Sequence, residues 1–265
     1  MAGSVRSPRK VARRLKLLPV ARREMRSWPR FMWCYALGVV PRRPYEFRNG
    51  AQLRIARGVE HVPIIEIFLR RDYGDAPEDA TILDLGASTG VFAVYAAAQT
   101  TRSRVLSFEP MPGSFALLAD NVALNGVGDR VTAEQAGVTG RGGTRELIVG
   151  AFFPSFVAEA PTVAGATETV TVPSVTLAEI FTRYDLAAVD LLKLDIEGAE
   201  YEVLYDTAPE LLGRIAKIRM EAHDLDEGRR NVASLKRFFA EAGFTITREE
   251  RDPGGTVALW ADRAH

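Results

Sequence analysis

The chain has 265 residues, of which 34 are Lys or Arg and 34 are Asp or Glu, so its formal net charge is zero. This length suits one large domain or two small ones and suffices to bury a substantial core. Hydrophobic residues make up 47% of the chain and charged residues 26%, which argues against a disordered, collagenous or coiled-coil protein. The single cysteine, Cys34, excludes an intramolecular disulfide framework and a cysteine-rich zinc site, and it fits a reducing compartment.

The charges are unevenly distributed along the chain. Residues 1–48 contain thirteen basic and two acidic side chains, a net charge of +11. The remainder contains 21 basic and 32 acidic side chains, a net charge of −11. This separation predicts a basic N-terminal arm, residues 1–46, in front of a domain formed by residues 47–265. Val11, Leu15 and Leu18 recur at helical spacing, so we expect the arm to be helical.

An apolar run occupies residues 31–40 and ends at Pro41. Its ten residues are too few for a membrane-spanning helix, which needs about 20 residues. The Arg-rich sequence before the run, without a clear cleavage site, also argues against a secretory signal. We therefore expect a cytoplasmic protein.

Three interpretations of the arm remain open. In the first, basic residues meet anionic lipid at the inner face of the membrane while aromatic side chains lie at its interface, namely Trp28, Phe31, Trp33 and Tyr35. In the second, the arm is a helical lid on the acidic domain. In the third, it is a solvated segment before a core helix. No nucleic-acid partner is expected, because nothing else in the chain repeats the basic pattern.

Strands and helices alternate after the arm. A strand or hairpin around Asn49-Gly50 is predicted at 47–55, then a helix at 60–73 and a turn at 75–79. Strands of the main sheet are predicted at 81–85, 104–108, 131–136, 190–194, 216–221, 244–249 and 256–260. Helices are predicted at 90–99, 112–125, 201–212 and 232–242. The pattern predicts an α/β fold of Rossmann-like type: a mainly parallel seven-stranded sheet with helices on both faces.

Two segments depart from the strand and helix alternation. The last two predicted strands are joined by the short turn 252–255, which indicates an antiparallel hairpin at one sheet edge. Residues 137–175 are rich in Gly, Thr, Val and Ala, and we interpret them as an inserted irregular or β region. Long insertions of this kind often carry a binding role.

A glycine turn follows the first strand of the predicted sheet. The sequence from Asp84 to Gly90 reads D-x-G-x-x-x-G and leads directly into a helix. Open α/β sheets bind ligands at the carboxyl ends of their strands, and Gly86 and Gly90 permit a tight turn with close backbone approach to a ligand. The spacing differs from G-x-G-x-x-G, and Asp84 is acidic, so a dinucleotide phosphate cradle is disfavoured.

The second strand ends in Phe108-Glu109-Pro110, with Glu109 lying 25 residues after Asp84. An acid in this position is placed to hold ribose hydroxyls. A glycine turn and a ribose-binding acid without a phosphate cradle predict a nucleoside cofactor, S-adenosylmethionine. Two alternatives are a nicotinamide-dependent oxidoreductase on a related sheet and a non-catalytic, membrane-associated cofactor-binding module.

Ionisable residues gather at the ends of two later strands. Lys193, Asp195 and Glu197 alternate at the end of one strand, and Glu221 and His223 end the next. Buried charges are costly unless paired, so within a cleft such groups are candidates for substrate binding or acid–base chemistry. His223 is a candidate base for a substrate hydroxyl. Asp195, Glu221 and His223 are alternatively candidate ligands for a divalent cation such as Mg²⁺.

Taken together, these motifs resemble the FkbM-type methyltransferase family. The resemblance runs from about residue 47 to 260 and rests on the glycine turn, Phe108-Glu109-Pro110, residues 121–125, the Glu221-x-His223 pair and above all Lys193-x-Asp195-x-Glu197-Gly198-Ala199-Glu200. It implies a class I methyltransferase that transfers a methyl group from S-adenosylmethionine to a hydroxyl of a sugar, glycolipid or other natural product. Ser88 departs from the family pattern, in which Asn is common.

The resemblance also implies roles for individual residues. The methionine part of the cofactor is assigned to Asp84, Gly86, Ala87, Ser88 and Gly90. The ribose is assigned to Glu109 and Pro110, and the adenine to Ala136 and Gly137. The acceptor side is assigned to Lys193, Asp195, Glu197, Glu221 and His223, with the helix around Glu66 and Tyr73 and the 137–175 insertion as its cover. The identity of the acceptor, the use of a metal and the oligomeric state, including a homo-oligomer, stay open.

Overall fold

A computed structural model describes residues 8–149, 168–252 and 255–263, and for residues 8–15 only the helical backbone. The start of the predicted arm, residues 150–167 of the predicted insertion and the tip of the terminal hairpin lie outside the described residues.

The N-terminal part consists of two helices, a small hairpin and a helical segment that widens along the chain. Its elements are α1 (Pro8–Glu24), α2 (Trp28–Leu37), β1 (Tyr45–Glu46), β2 (Gln52–Leu53), a 3₁₀ turn (Gly58–Glu60), α3 (His61–Ile64) and a π-helical turn (Ile65–Arg70). The hairpin turns at Asn49-Gly50 as expected. The helix predicted at 60–73 is confirmed as a helical segment, but it is not a regular α-helix: it passes from 3₁₀ through α to π geometry and ends before Arg71, which is in the left-handed region.

The main sheet follows, and the structure bears out the α/β expectation. Its strands are β3 (Thr81–Leu85), β4 (Arg104–Phe108), β5 (Val131–Glu134), β9 (Leu191–Leu194), β10 (Lys217–Ala222), β11 (Phe244–Arg251) and β12 (Val257–Arg263). Among the described residues it has seven strands in the order β11-β12-β10-β9-β3-β4-β5. β12 runs antiparallel to both neighbours and the other pairs are parallel. The central strands are continuously buried, which is typical of a sheet covered on both faces.

Helices cover both faces of this sheet. They are α4 (Val91–Gln99), α5 (Pro112–Asn125), α6 (Leu177–Arg183), α7 (Glu200–Tyr205), α8 (Pro209–Leu212) and α9 (Val232–Glu241). Successive residues of β3 point to opposite faces of the sheet and join two different hydrophobic clusters. Ile82 packs with the N-terminal helices and α4, and Leu83 packs with α6, α7 and α9. The single helix predicted at 201–212 is wrong, because Pro209 lacks the backbone N–H of a helix interior and begins a separate helix instead.

Part of the predicted insertion folds as a second, small sheet. Its strands are β6 (Gly137–Val138), β7 (Gly143–Val149) and β8 (Glu168–Val175) in the order β6-β8-β7. The β content expected there is confirmed for the described residues. Helix α6, absent from the predicted elements, follows it and begins with a reciprocal capping box between Thr176 and Glu179.

The described part of the N-terminal arm packs on the domain. Leu17 and Ala21 of α1 and Met25 directly after it lie four residues apart and are buried in the same cluster as Phe31 and Cys34 of α2. One face of each arm helix therefore belongs to the same hydrophobic cluster as residues of the domain, and the boundary after residue 46 stays a prediction. The helices of the described residues include none that combines the length and the apolar character needed to cross a membrane.

Candidate active site

One cavity opens where the central strands of the main sheet end. Leu85 pairs with Phe108 on one side and with Leu194 on the other, so the residues after β3, β4 and β9 start at the same level. This register brings ten of the predicted site residues to the cavity wall: Gly86, Ala87, Ser88, Glu109, Pro110, Gly137, Lys193, Asp195, Glu197 and Glu221. Ligands bind at this edge of open α/β sheets.

The glycine turn after β3 packs closely against the backbone that follows β9. Gly86 has φ 77°, and a Cβ there would lie 1.8 Å from the main-chain oxygen of Asp195, so only glycine fits this crossing. Ser88 and Glu197 on the cavity wall are also left-handed, with φ values of 48° and 54°. Asn enters this region more readily than Ser, which gives a physical reason for the Asn that is common in this family turn.

Glu109 presents a buried, fixed carboxylate to the cavity. Its two oxygens accept hydrogen bonds from the backbone N–H groups of Ser88 and Met111, both at 2.8 Å. The residue is only 5% exposed, and burial raises the pKa of its carboxyl to about 7 despite those two N–H donors. The carboxylate is therefore held rigidly in place, with an ionisation state that changes near neutral pH.

Lys193 ties strand β9 to the glycine turn through a buried ion pair. Its Nζ lies 3.1 Å from Asp84 Oδ1 and 3.6 Å from Asp195 Oδ2, and it donates a hydrogen bond of 2.9 Å to the carbonyl of Gly86. Burial alone would lower the pKa of Lys193, but attraction to Asp84 and Asp195 outweighs it and raises the pKa. The ammonium thus stays charged beneath the cavity.

Tyr73 joins two carboxyl groups at the other end of the cavity. Its hydroxyl donates a hydrogen bond of 2.9 Å to Asp195 Oδ2 and lies 3.4 Å from Glu221 Oε1. Burial, reinforced by the negative charges of Asp195, Glu66 and Glu197, raises the pKa of Glu221 well above its ordinary value. Burial therefore favours the protonated form of Glu221 at this end of the cavity.

Tyr73 belongs to the N-terminal part of the chain, far in sequence from Asp195. Three hydrogen bonds hold that part of the chain against the main domain. The indole Nε1 of Trp260 on β12 donates to the carbonyl of Asp72 at 2.8 Å. Further back, Asn121 and Asn125 of α5 accept hydrogen bonds of 2.8 Å from the backbone N–H groups of Arg54 and Gln52. These asparagines, part of the family resemblance, fasten the N-terminal segment over the sheet edge.

The remaining predicted site residues lie outside the cavity lining. Asp84 is buried beneath the turn with Lys193, and Ala136 is buried in the core. A Cβ on Gly90 would lie 2.5 Å from Leu118 Cδ1, so this glycine allows α4 to pack on α5. His223 is half-buried; burial lowers its pKa, and its Nδ1 has no hydrogen-bond partner among the described residues. Cofactor or catalytic roles for these four residues stay predictions.

The structure does not support the predicted divalent-cation site. Asp195 and Glu221 line the cavity but His223 does not. Within residues 8–149, 168–252 and 255–263, no group of three or more His, Cys, Asp or Glu side chains is placed to hold a metal ion. The predicted ligand set therefore does not converge.

Several wall residues were missed by the sequence analysis. They are Arg57, Val62, Pro63 and Ile67 of the N-terminal segment, and Val138 and Leu147 of the small sheet. Glu66 and Tyr73 were expected to cover the acceptor, and both line the cavity. The hydrogen bond from Tyr73 to Asp195 was not foreseen, since the two residues are 122 positions apart.

Comparison with known proteins identifies the family. The family model described as the methyltransferase FkbM domain matches residues 84–246, more than half of the chain. The chain belongs to the FkbM methyltransferase family. This FkbM methyltransferase is 26% identical to methyltransferase sdnD of Sordaria araneosa over 68% of this chain and 80% of that one. It is 28% identical to 31-O-demethyl-FK506 methyltransferase FkbM of Streptomyces tacrolimicus, over 70% and 80% of the two chains.

Solved structures with similar folds are more distant. The ribosomal protein L11 methylase of Lactobacillus delbrueckii subsp. bulgaricus is 15% identical with a TM-score of 0.43, over 78% of this chain and 79% of that one. TrmK of M. capricolum, solved with S-adenosyl-homocysteine, is 9% identical with a TM-score of 0.43, over 79% and 69%.

Membership of the family makes this protein an S-adenosylmethionine-dependent methyltransferase, and the cavity fits that cofactor. The Glu109 carboxylate, fixed by two backbone N–H groups, would hold the ribose hydroxyls, the usual role of an acid after the second strand. The backbone of Gly86, Ala87 and Ser88 would hold the methionine part, and Gly137 with the apolar side chain of Val138 would line the adenine.

Replacing Glu109 with glutamine is expected to weaken S-adenosylmethionine binding about 10- to 100-fold, because hydrogen bonds to a charged acceptor contribute roughly 1.5–3 kcal/mol. The wild-type affinity should also rise as the pH passes through about 7, where Glu109 loses its proton. The variant should lack this rise. Isothermal titration calorimetry at several pH values measures both effects.

Glu134→Gln is a matched control, because Glu134 also ends a parallel strand but pairs with Arg183 and Tyr184 outside the cavity. Equal affinities for wild type and folded Glu109→Gln would remove Glu109 from the cofactor site.

Proposed function

We propose that this protein methylates a hydroxyl group of a sugar, glycolipid or other natural product. The observation that carries the proposal is the cluster of Tyr73, Asp195 and Glu221 on the cavity wall, in which one hydroxyl is hydrogen-bonded to Asp195 and lies against Glu221. Transfer to a hydroxyl requires a group that takes the acceptor proton, and carboxylates perform this role in enzymes. The name of the 28% identical 31-O-demethyl-FK506 methyltransferase places its own reaction on an oxygen atom, which supports the same chemistry here.

Bound S-adenosylmethionine supplies an electrophilic methyl group. The task of the chain is to orient the acceptor and to remove its proton, and orientation contributes much of the rate because it removes an entropic barrier. Asp195 is the base in this proposal. Tyr73 engages its Oδ2 atom at 2.9 Å, and the acceptor O–H passes its proton to Oδ1 as the oxygen becomes the nucleophile.

Glu221 serves as a donor to the acceptor, since the single hydroxyl proton of Tyr73 is donated to Asp195. Burial raises the pKa of Glu221 well above the ordinary value and so favours its protonated form, which donates a hydrogen bond where an ionised carboxylate would only accept one. A polyhydroxylated acceptor offers both donors and acceptors to this surface. Phe92, Val91 and Ile196 line the same cavity and exclude water from it.

Tyr73→Phe is expected to lower kcat about two- to tenfold, because Asp195 loses a hydrogen bond that orients it, worth roughly 0.5–1.5 kcal/mol. The pH dependence of kcat should shift as well, while affinity for S-adenosylmethionine stays unchanged. Steady-state kinetics across pH distinguishes this positioning role from a loss of folding. Tyr95→Phe is the control, since the Tyr95 hydroxyl bonds Asp75 away from the cavity. A kcat and pH profile equal to wild type would exclude the positioning role.

The decisive experiment is to incubate the protein with methyl-labelled S-adenosylmethionine and an extract or a panel of polyhydroxylated compounds. Mass spectrometry identifies the compound that gains one methyl group, and NMR of the labelled methyl tells whether it is attached to oxygen, nitrogen or carbon. A label on nitrogen or carbon would overturn the proposal.

A further inference from the structure

An exposed apolar segment lies at the end of helix α2. Among the described residues, the exposed large hydrophobic side chains are Trp33, Leu37, Val39 and Val40, with 62%, 51%, 38% and 42% of their surface accessible. All four fall within eight consecutive residues. Scattered exposed apolar residues are ordinary, but a contiguous group marks a surface that contacts something else.

The local structure explains why this surface cannot be buried within the chain. Phe31 and Cys34 of α2 face the core, while Trp33 and Leu37, four residues apart, lie together on another side of the helix. Gly38 ends α2 in the left-handed conformation with φ 65°, and Val39 and Val40 follow directly. Helix α2 thus buries one face in the core and exposes a second apolar face to solvent.

Basic side chains surround this apolar group in the sequence. Arg42 and Arg43 follow it and are exposed, and the described part of α1 and the turn after it carry four more exposed basic residues: Lys16, Arg22, Arg23 and Arg26. The one acidic residue between positions 16 and 43 is Glu24, which forms an ion pair of 2.7 Å with Arg23. An exposed tryptophan with aliphatic and cationic neighbours suits the interface of an anionic bilayer.

The apolar segment is next to the wall of the cavity. The backbone of Gly38 touches Gly58, where an added Cβ would lie 2.4 Å from the Gly38 carbonyl oxygen. Arg57, beside Gly58 in the chain, lines the cavity, and so do Val62 and Pro63 a few residues later. A surface that receives α2 would therefore come close to the N-terminal wall of the active site.

We propose that residues 33–43, here called the docking segment, bind the surface of a membrane that contains anionic lipid. Trp33, Leu37, Val39 and Val40 enter the interface between headgroups and acyl chains, and Arg42 and Arg43 contact the lipid phosphates. A symmetric contact between two copies of this surface is disfavoured, because an isologous interface would bring the same arginines together. The proposal concerns a membrane surface and does not depend on which acceptor is methylated.

The test is sedimentation of the full-length protein with vesicles of phosphatidylcholine alone or mixed with phosphatidylglycerol. Binding is expected only to the anionic vesicles and should weaken with added salt, which screens exposed charges. Each basic residue near such a surface contributes about fivefold in affinity, so Arg42→Ser with Arg43→Ser should weaken binding about 25-fold. Trp33→Ser should also weaken binding, whereas Trp33→Phe should retain most of it.

A double variant with the same change of charge is the control. Arg229 and Arg237 are exposed and lie outside the docking segment, so Arg229→Ser with Arg237→Ser should bind vesicles like wild type. Circular dichroism and S-adenosylmethionine affinity verify that every variant is folded. Equal binding to neutral and anionic vesicles, or equal losses in both double variants, would overturn the proposal. So would light scattering that shows a wild-type dimer converted to a monomer by Trp33→Ser, because the surface would then belong to a second copy.

Discussion

Asp195→Asn is expected to reduce kcat by a hundredfold to ten-thousandfold, roughly the contribution of general-base catalysis, with little change in affinity for S-adenosylmethionine. Asparagine is nearly the same size as aspartate and still accepts the hydrogen bond from Tyr73, which spans 2.9 Å in the wild type. It cannot take a proton from an acceptor hydroxyl. The substitution therefore separates the proposed chemistry from binding.

Steady-state kinetics with the identified acceptor and calorimetry with the cofactor measure the two quantities. Asp224→Asn is a suitable control, because Asp224 follows the neighbouring strand β10 but pairs with Arg251 and does not line the cavity. Wild-type turnover in a folded Asp195→Asn protein would place the base elsewhere, and His223 would be the next residue to test. A loss of cofactor affinity equal to the loss of kcat would assign Asp195 to binding.

Lys193→Met is expected to lower the free energy of unfolding by about 3–5 kcal/mol, the cost of leaving one partner of a buried ion pair alone. The two side chains are almost completely buried, at 3% exposure for Lys193 and 0% for Asp84. Without the ammonium, Asp84 must be buried as an unpaired charge or take up a proton. Since a whole domain is stable by only about 5–15 kcal/mol, this single change removes a large part of the total.

The pH dependence of this loss follows from the same residue. An unpaired, buried Asp84 has a raised pKa in the folded variant, so the variant keeps more of its stability at low pH and loses it as the pH rises. Urea unfolding at acidic and neutral pH should therefore show a smaller difference between wild type and variant under acidic conditions. Adding Asp84→Asn to the variant should restore part of the stability, because the unpaired charge is then absent.

Lys236→Met provides the matched control for this measurement. Lys236 pairs with Glu249 on the surface, where the two side chains are 42% and 41% exposed, and exposed ion pairs contribute only about 0–1 kcal/mol. If Lys193→Met destabilised the protein no more than Lys236→Met does, the buried pair would contribute little to holding β9 against the glycine turn.

The central strands β3 and β4 were predictable because they are short, largely apolar runs bounded by turn residues. The predicted bounds of β3 and β4 coincide with the observed ones, Thr81–Leu85 and Arg104–Phe108. Such runs are typical of parallel strands that are buried on both faces of a sheet, because both sets of alternating side chains are then removed from water. Elements with weaker local signals were less predictable, as the division of residues 201–212 at Pro209 shows.

The sequence by itself predicted the residues assigned to the cofactor side of the active site. Gly86 and Glu109 directly follow buried strands, and parallel register is sufficient to bring such residues to one edge of the sheet. The same motifs carried the family resemblance, which the matching family model supports. Local sequence was sufficient for this prediction because the position of each strand in the sheet fixes the position of the residue that follows it.

Only the tertiary structure decided the acceptor side. Tyr73 reaches Asp195 through the π-helical turn and the hydrogen bond from Trp260 to Asp72, and Gly38 meets Gly58 through the packing of α2. These contacts join segments that are far apart in sequence. Neither segment's sequence predicts the contact, because the contact depends on how the helices pack on the sheet. The same packing buried one face of the basic arm and left Trp33 exposed, a distinction that the charge pattern alone does not make.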